Sequence, residues 1–100
     1  MSLEELDPVL LAPKRLAVMA ILANSTSTDF GFLRDHLAVT DSDLSKQMSA
    51  LESAGFVKVT KFGRGRGGVT SYRITAAGRA AFTRHREALR AIVDYAPEPN

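Results

Sequence analysis

No cysteine occurs among the 100 residues. That excludes a disulfide framework, a thiolate zinc site and a cysteine redox switch. No apolar run approaches the ~20 residues that a bilayer span needs. The amino-terminal stretch is acidic and lacks a long apolar core, so it does not read as a secretory signal, and a cytoplasmic protein is the expectation. Strong net charge is missing as well: the formal balance is +2. Catalytic constellations are absent: no serine has the flanks of a nucleophile elbow and no paired carboxylates suggest acid–base work. His36 and His85 lie far apart and lack the i, i+4 partners of helical metal sites. They read as surface or packing residues, and neither an enzyme, a metal nor a cofactor is expected.

What the chain has is a size and composition suited to one small domain. At 45% hydrophobic it can build a core, though one small enough for its stability to lean on a partner. Charge distribution is more informative than the total. Residues 1–12 carry Glu4, Glu5 and Asp7 and no base, whereas residues 56–73 carry Lys58, Lys61, Arg64, Arg66 and Arg73 and no acid. A basic block among neutral strand residues is an anion-facing surface, and nucleic acid is the commonest long anion.

The organising stretch runs from Thr40 to Arg73. Thr40 followed by Asp43 resembles a capping box, and Asp41 and Asp43 suit the first turn of a helix. Leu44, Met48 and Leu51 form one stripe of a helix over Asp41–Ala54, and Gly55 suits the left-handed residue just past its end. Phe56, Val57, Val59 and Phe62 among Lys58, Thr60 and Lys61 read as a strand, and Val69–Ile74 as a returning strand. Between them, Gly63–Gly68 is too glycine-rich for either element. It is not a phosphate-binding loop, because it lacks the terminal Lys-Ser/Thr and precedes a strand.

L-S-K-Q-M-S-A-L-E-S-A-G-F-V, then a basic glycine-rich hairpin, then T-S-Y-R-I-T-A-A-G-R-A-A-F, resembles the winged helix-turn-helix of MarR- and ArsR-like transcriptional regulators, in particular small stand-alone winged-helix DNA-binding domains. L-D-P-V-L-L-A-P-K-R-L-A-V-M-A-I-L is similar to the start of that group, and the likeness runs from about Leu6 to Val93. It implies an α+β, mostly helical fold with a two- or three-stranded antiparallel β-wing and a C-terminal helix. It also implies a DNA-binding regulator that dimerises through terminal helices.

The remaining elements fit around this stretch. Asp7-Pro8 can open a brief turn, and Met1–Glu5 is a lead-in. From Pro13 a helix carries Leu16, Ala17, Ala20 and Ile21 on one face, widened by Val18, Met19 and Leu22. So wide a face fits either a central core helix or one shared with a second subunit. Ser27 or Thr28 can add a short strand, and Thr28 or Asp29 can cap a helix with Phe30, Leu33 and Leu37 inward. Ala38-Val39 is the turn before Thr40, without the glycine common in helix-turn-helix units. Thr75 reads as the cap of a last helix with Ala80, Ala81, Phe82, Ala88, Leu89, Ile92 and Val93 as apolar positions. The expectation is a single domain over 1–95 with a disordered tail at 96–100.

The expected DNA-binding residues are Thr40, Ser42, Ser45, Lys46, Gln47 and Ser49 on the central helix, with Lys58, Lys61, Arg64, Arg66 and Arg73 on the hairpin. Small polar residues permit close approach to a groove floor. Gln47 can pair with adenine, and Lys46 can reach guanine or phosphate. Arg64 and Arg66, spaced by glycine, suit a narrow minor groove, while the strand cations suit phosphate. Asp43 is assigned to capping. Leu10, Val18, Leu22, Phe82, Leu89, Ile92 and Val93 are the expected dimer contacts. The partners are therefore double-stranded DNA and a second copy, with no membrane. A solvated helix face with a soluble loop, or a winged helix that binds protein, remains the alternative. No polar cluster marks an effector pocket between the first and last helices.

Overall fold

The computed structural model describes residues 2–63 and 68–97. The Leu3–Glu5 and Pro8–Leu11 segments are single 3₁₀ turns. Helix α1 spans Pro13–Ala23, strand β1 Thr28–Asp29, α2 Phe30–Leu37 and α3 Asp41–Ser53. Strands β2, Val57–Phe62, and β3, Val69–Ile74, form the hairpin, and α4 spans Ala76–Val93. The sheet is antiparallel with order β1-β3-β2, so the two-residue β1 lies along the outer edge of the returning strand. Register runs from Val57 opposite Ile74 to Phe62 opposite Val69.

Local chemistry sets the boundaries. Asp7 caps its turn by accepting from the Val9 amide at 2.9 Å, with Pro8 at the first position. Thr40 accepts from the Asp43 amide at 3.1 Å and starts α3. At the other end Gly55 has φ of 78°. The Gly55 amide returns to the Glu52 carbonyl at 2.9 Å and the Phe56 amide to Leu51 at 3.0 Å, the Schellman closure that glycine permits. The Thr75 hydroxyl accepts from the Gly78 amide at 2.9 Å and starts α4.

The inner faces meet in one cluster that includes Leu10, Val18, Met19, Leu22, Leu33, Leu44, Met48, Leu51, Val57, Tyr72 and Ala81. Three expectations need correction here. On α1 the fully buried residues are Val18, Met19 and Leu22, while Leu16, Ala17, Ala20 and Ile21 are only half-buried. The cluster approaches α1 from the side taken above as its margin. Leu10, Val18 and Leu22 are therefore not dimer contacts, because each is 0% exposed within its own chain. Asp29 does stand at the N-cap of α2, but its side chain makes no capping bond: its carboxylate accepts from the Ser71 hydroxyl at 2.8 Å and ties β1 to β3.

Two backbone positions carry strain or close approach. Ala38, ending α2, holds φ 54° and ψ 48°, so alanine occupies the left-handed position where glycine was missed. On α4, a Cβ at Gly78 would lie 2.1 Å from the Phe56 carbonyl oxygen. Gly78→Ala is expected to cost about 3 kcal/mol, the upper end of overpacking penalties, because the obstacle is backbone. Ala38→Gly is expected to add about 0.5–1 kcal/mol, the left-handed strain relieved less the extra chain entropy of glycine. Urea midpoints at unchanged slope measure both.

Candidate nucleic-acid interface

Helix α3 turns Leu44, Met48 and Leu51 wholly inward, each at most 1% exposed. At 3.6 residues per turn the opposite side must then carry Ser42, Lys46, Ser49 and Ser53. All four are exposed, and so are Thr40 and Ser45. Short side chains here leave the helix axis free to come close to another surface.

Gln47 is different. It is half-buried, and its amide is held from both ends within the chain. The Arg15 guanidinium donates to its Oε1 at 2.8 Å, and its Nε2 donates to Asp43 Oδ1 at 3.0 Å. Asp43 contributes its amide, not its carboxylate, to the cap. The carboxylate pairs with Lys14, which corrects its assignment to capping. The hydrogen bond from Lys14, then that from Gln47, holds the Asp43 carboxyl below the usual range. Asp41 is likewise answered, by Arg34 at 3.0 Å. Arg34 also binds Asp35 at 2.9 Å and lowers its pKa.

Lys14 and Arg15 were missed in the sequence. The signal available was two cations in the first turn of α1, against the helix dipole, with no acid beside them. Such a pair is explained by carboxylates or carbonyls from elsewhere.

On the hairpin, Lys58, Lys61 and Arg73 are exposed. Lys58 and Arg73 are cross-strand partners and so share a face. Lys61 has the same parity as Val57 and Val59, which pack on the core, so it projects from the helix-facing side beyond the core edge. The strand cations therefore do not form one surface. Arg64 and Arg66 lie outside the described residues.

Of the expected dimer contacts outside the core, Phe82, Leu89 and Ile92 are half-buried and Val93 is 77% exposed. His85 is 0% exposed within α4, where its Nδ1 accepts from the Asp7 amide at 2.9 Å. His36 stacks on Phe32 with ring centroids 5.4 Å apart. Burial raises the Tyr72 phenol, with the Glu52 charge adding to it. An open groove of about 720 Å³ lies between Ala20 and Ile21 of α1 and Phe32 of α2, away from the first and last helices as a pair. Among the described residues no three metal-ligating side chains cluster, and no helix there is long and apolar enough to cross a membrane.

A helix pair α2–α3 joined by a tight turn, with a three-stranded hairpin sheet beside it, defines the class: a winged helix-turn-helix. The family model described as a winged helix DNA-binding domain matches residues 14–93. The chain belongs to that family of winged helix DNA-binding domains. No curated protein matches it in sequence. Among solved structures, a transcriptional regulator homologue from Pyrococcus horikoshii OT3 is similar at a TM-score of 0.79 and 28% identity, over 86% of this chain and 85% of that one. The YusO protein of Bacillus subtilis is similar at a TM-score of 0.76 and 22% identity, over 91% of this chain and 64% of that one. A protein of Porphyromonas gingivalis W83 assigned to the MarR family has a TM-score of 0.68 and 13% identity, over 88% and 85%. The last two show the shared fold.

The Asp43 environment generates a pH expectation. Because its folded pKa is depressed, the Lys14 pairing stabilises the fold above the ordinary carboxylate value of 3.8 and is lost as pH falls through the folded value. NMR titration is expected to place the Asp43 midpoint below 3.8 in the native chain and nearer 3.8 in Lys14→Met.

Proposed function

We propose that the protein is a sequence-specific regulator that binds double-stranded DNA as a homodimer in the cytoplasm. In this reading α3 enters a major groove with Thr40, Ser42, Ser45, Lys46, Gln47 and Ser49, and the hairpin meets the backbone or minor groove. Lys58 and Arg73 neutralise phosphates from one face of the hairpin and Lys61 from the other, and Arg64 and Arg66 serve the loop tip. The observation that carries the reading is the fully exposed side of α3 made of small polar residues and one lysine. It sits on a helix whose other side is sealed in the core. A family of DNA-binding regulators supports it.

The two acids at the start of α3 do not oppose the reading. Each carboxylate already has a cation from a neighbouring helix, Arg34 for Asp41 and Lys14 for Asp43. Their repulsion of a phosphate backbone is correspondingly reduced.

For the dimer, the candidate face is the end of α4, where Leu89, Ile92 and Val93 remain after the core has taken Leu10, Val18 and Leu22. Exposed Leu3 and Tyr95 extend the apolar area near the two termini. A two-fold dimer of this class would address half-sites about 34–36 Å apart.

Titration of duplex DNA at several salt concentrations tests the reading. The log–log slope is expected to be near −0.9 for each phosphate neutralised. Arg64→Ala with Arg66→Ala is expected to weaken binding to all duplexes alike, whereas Gln47→Ala should change preference among them. A chain that shifts no duplex at low salt would instead have a protein partner.

A further inference from the structure

We propose that Arg15, which lies on α1 and outside the exposed face of α3, is the positioning residue that sets the direction of the Gln47 amide and thereby the base preference of α3. The proposal rests on the DNA-reading function given above. It concerns how that reading is made selective.

A glutamine side chain rotates about three bonds, and its terminal amide can present either oxygen or nitrogen to a given point. Here the choice is made by two neighbours of opposite polarity. Arg15 Nη1 donates to Oε1 at 2.8 Å, and Asp43 Oδ1 accepts from Nε2 at 3.0 Å. A flipped amide would set N–H groups against the guanidinium and oxygen against the carboxylate, losing both bonds at once. Once they are made, Oε1 retains one lone pair and Nε2 one hydrogen. One acceptor and one donor are what the paired contact to adenine requires.

The anchor of this arrangement lies in the core and not on α3. Arg15 Nε donates to the Val9 carbonyl at 2.6 Å. Val9 belongs to the Pro8–Leu11 turn, which is pinned by fully buried Leu10 and, through the Asp7 amide, by His85 of α4. The guanidinium thus spans a fixed carbonyl and the Gln47 oxygen with two of its forked donors. A lysine has no such planar fork to reach both. Arg15 is half-buried, whereas Lys14 beside it has a side chain 52% exposed. Of the two, Lys14 is the one exposed enough to meet a phosphate.

The test compares wild type, Arg15→Met, Gln47→Ala and the double variant for binding to a randomised duplex library at two salt concentrations. Gln47→Ala is expected to reduce discrimination at the base pair it reads by about tenfold. Arg15→Met is expected to flatten the same base pair with the salt slope unchanged, and to add nothing in the Gln47→Ala background. The Gln47 side-chain amide resonances are expected to move in Arg15→Met without DNA present. If the methionine variant does not fold, Arg15→Lys carries the same comparison. The proposal is overturned if Arg15→Met weakens all duplexes equally with a slope shallower by about 0.9, the mark of a phosphate contact. It is also overturned if preferences are unchanged, or if the loss of preference persists in the double variant. If Gln47→Ala itself leaves every preference intact, the base-reading assignment fails and the role of Arg15 with it. In that case movement of the Gln47 resonances would still establish the tie as a structural strut.

Discussion

At one junction, four elements share a few atoms of backbone. The Phe56 carbonyl accepts from the Thr75 amide at 3.0 Å, and the neighbouring Gly55 carbonyl accepts from the Thr75 hydroxyl at 2.6 Å. The same hydroxyl caps α4, and Gly78 one turn later lies against that Phe56 carbonyl. The Phe56 amide meanwhile closes the end of α3. The end of α3, the start of β2, the end of β3 and the start of α4 therefore cannot move independently. The angle between α3 and the hairpin is fixed here. Glycine at position 78 is required by the closeness of this approach, and at position 55 by the positive φ.

A second constraint is electrostatic. Acids at a helix start are favoured by the dipole, yet they are unwelcome beside a polyanion. In α3 the conflict is reduced by neighbours: Arg34 from α2 answers Asp41, and Lys14 from α1 answers Asp43. These are exposed pairs, worth little to stability in water. Their consequence is for the charge that α3 presents. The same cluster immobilises Gln47, so cap, charge and side-chain direction are coupled over one turn of helix.

Much of the backbone plan was legible because it is decided locally. Thr40, Gly55 and Thr75 act through hydrogen bonds to amides and carbonyls a few residues away, and each performs the role its residue type implies. The strand Val69–Ile74 and the stripe Leu44–Met48–Leu51 follow from period alone. Roles that distant groups compete for were not legible in this way. The Asp43 carboxylate binds Lys14, 29 residues away, and that of Asp29, at the N-cap of α2, binds Ser71, 42 residues away, instead of a helix amide. On α1 the apolar face was wide enough to offer several buried sides, and only its neighbours could select Val18, Met19 and Leu22.

The sequence by itself determined the elements, their order and the exposed polar side of α3, because periodicity and caps are near-neighbour properties. It also marked the basic hairpin through the run of charge from Lys58 to Arg73. Tertiary structure alone decided that Leu10, Val18 and Leu22 close the core rather than meet a second copy. It alone paired Lys58 with Arg73 across the hairpin, and brought Lys14 and Arg15 to the side of Gln47. Those outcomes depend on which surfaces fold against each other, and no spacing within a single segment encodes that.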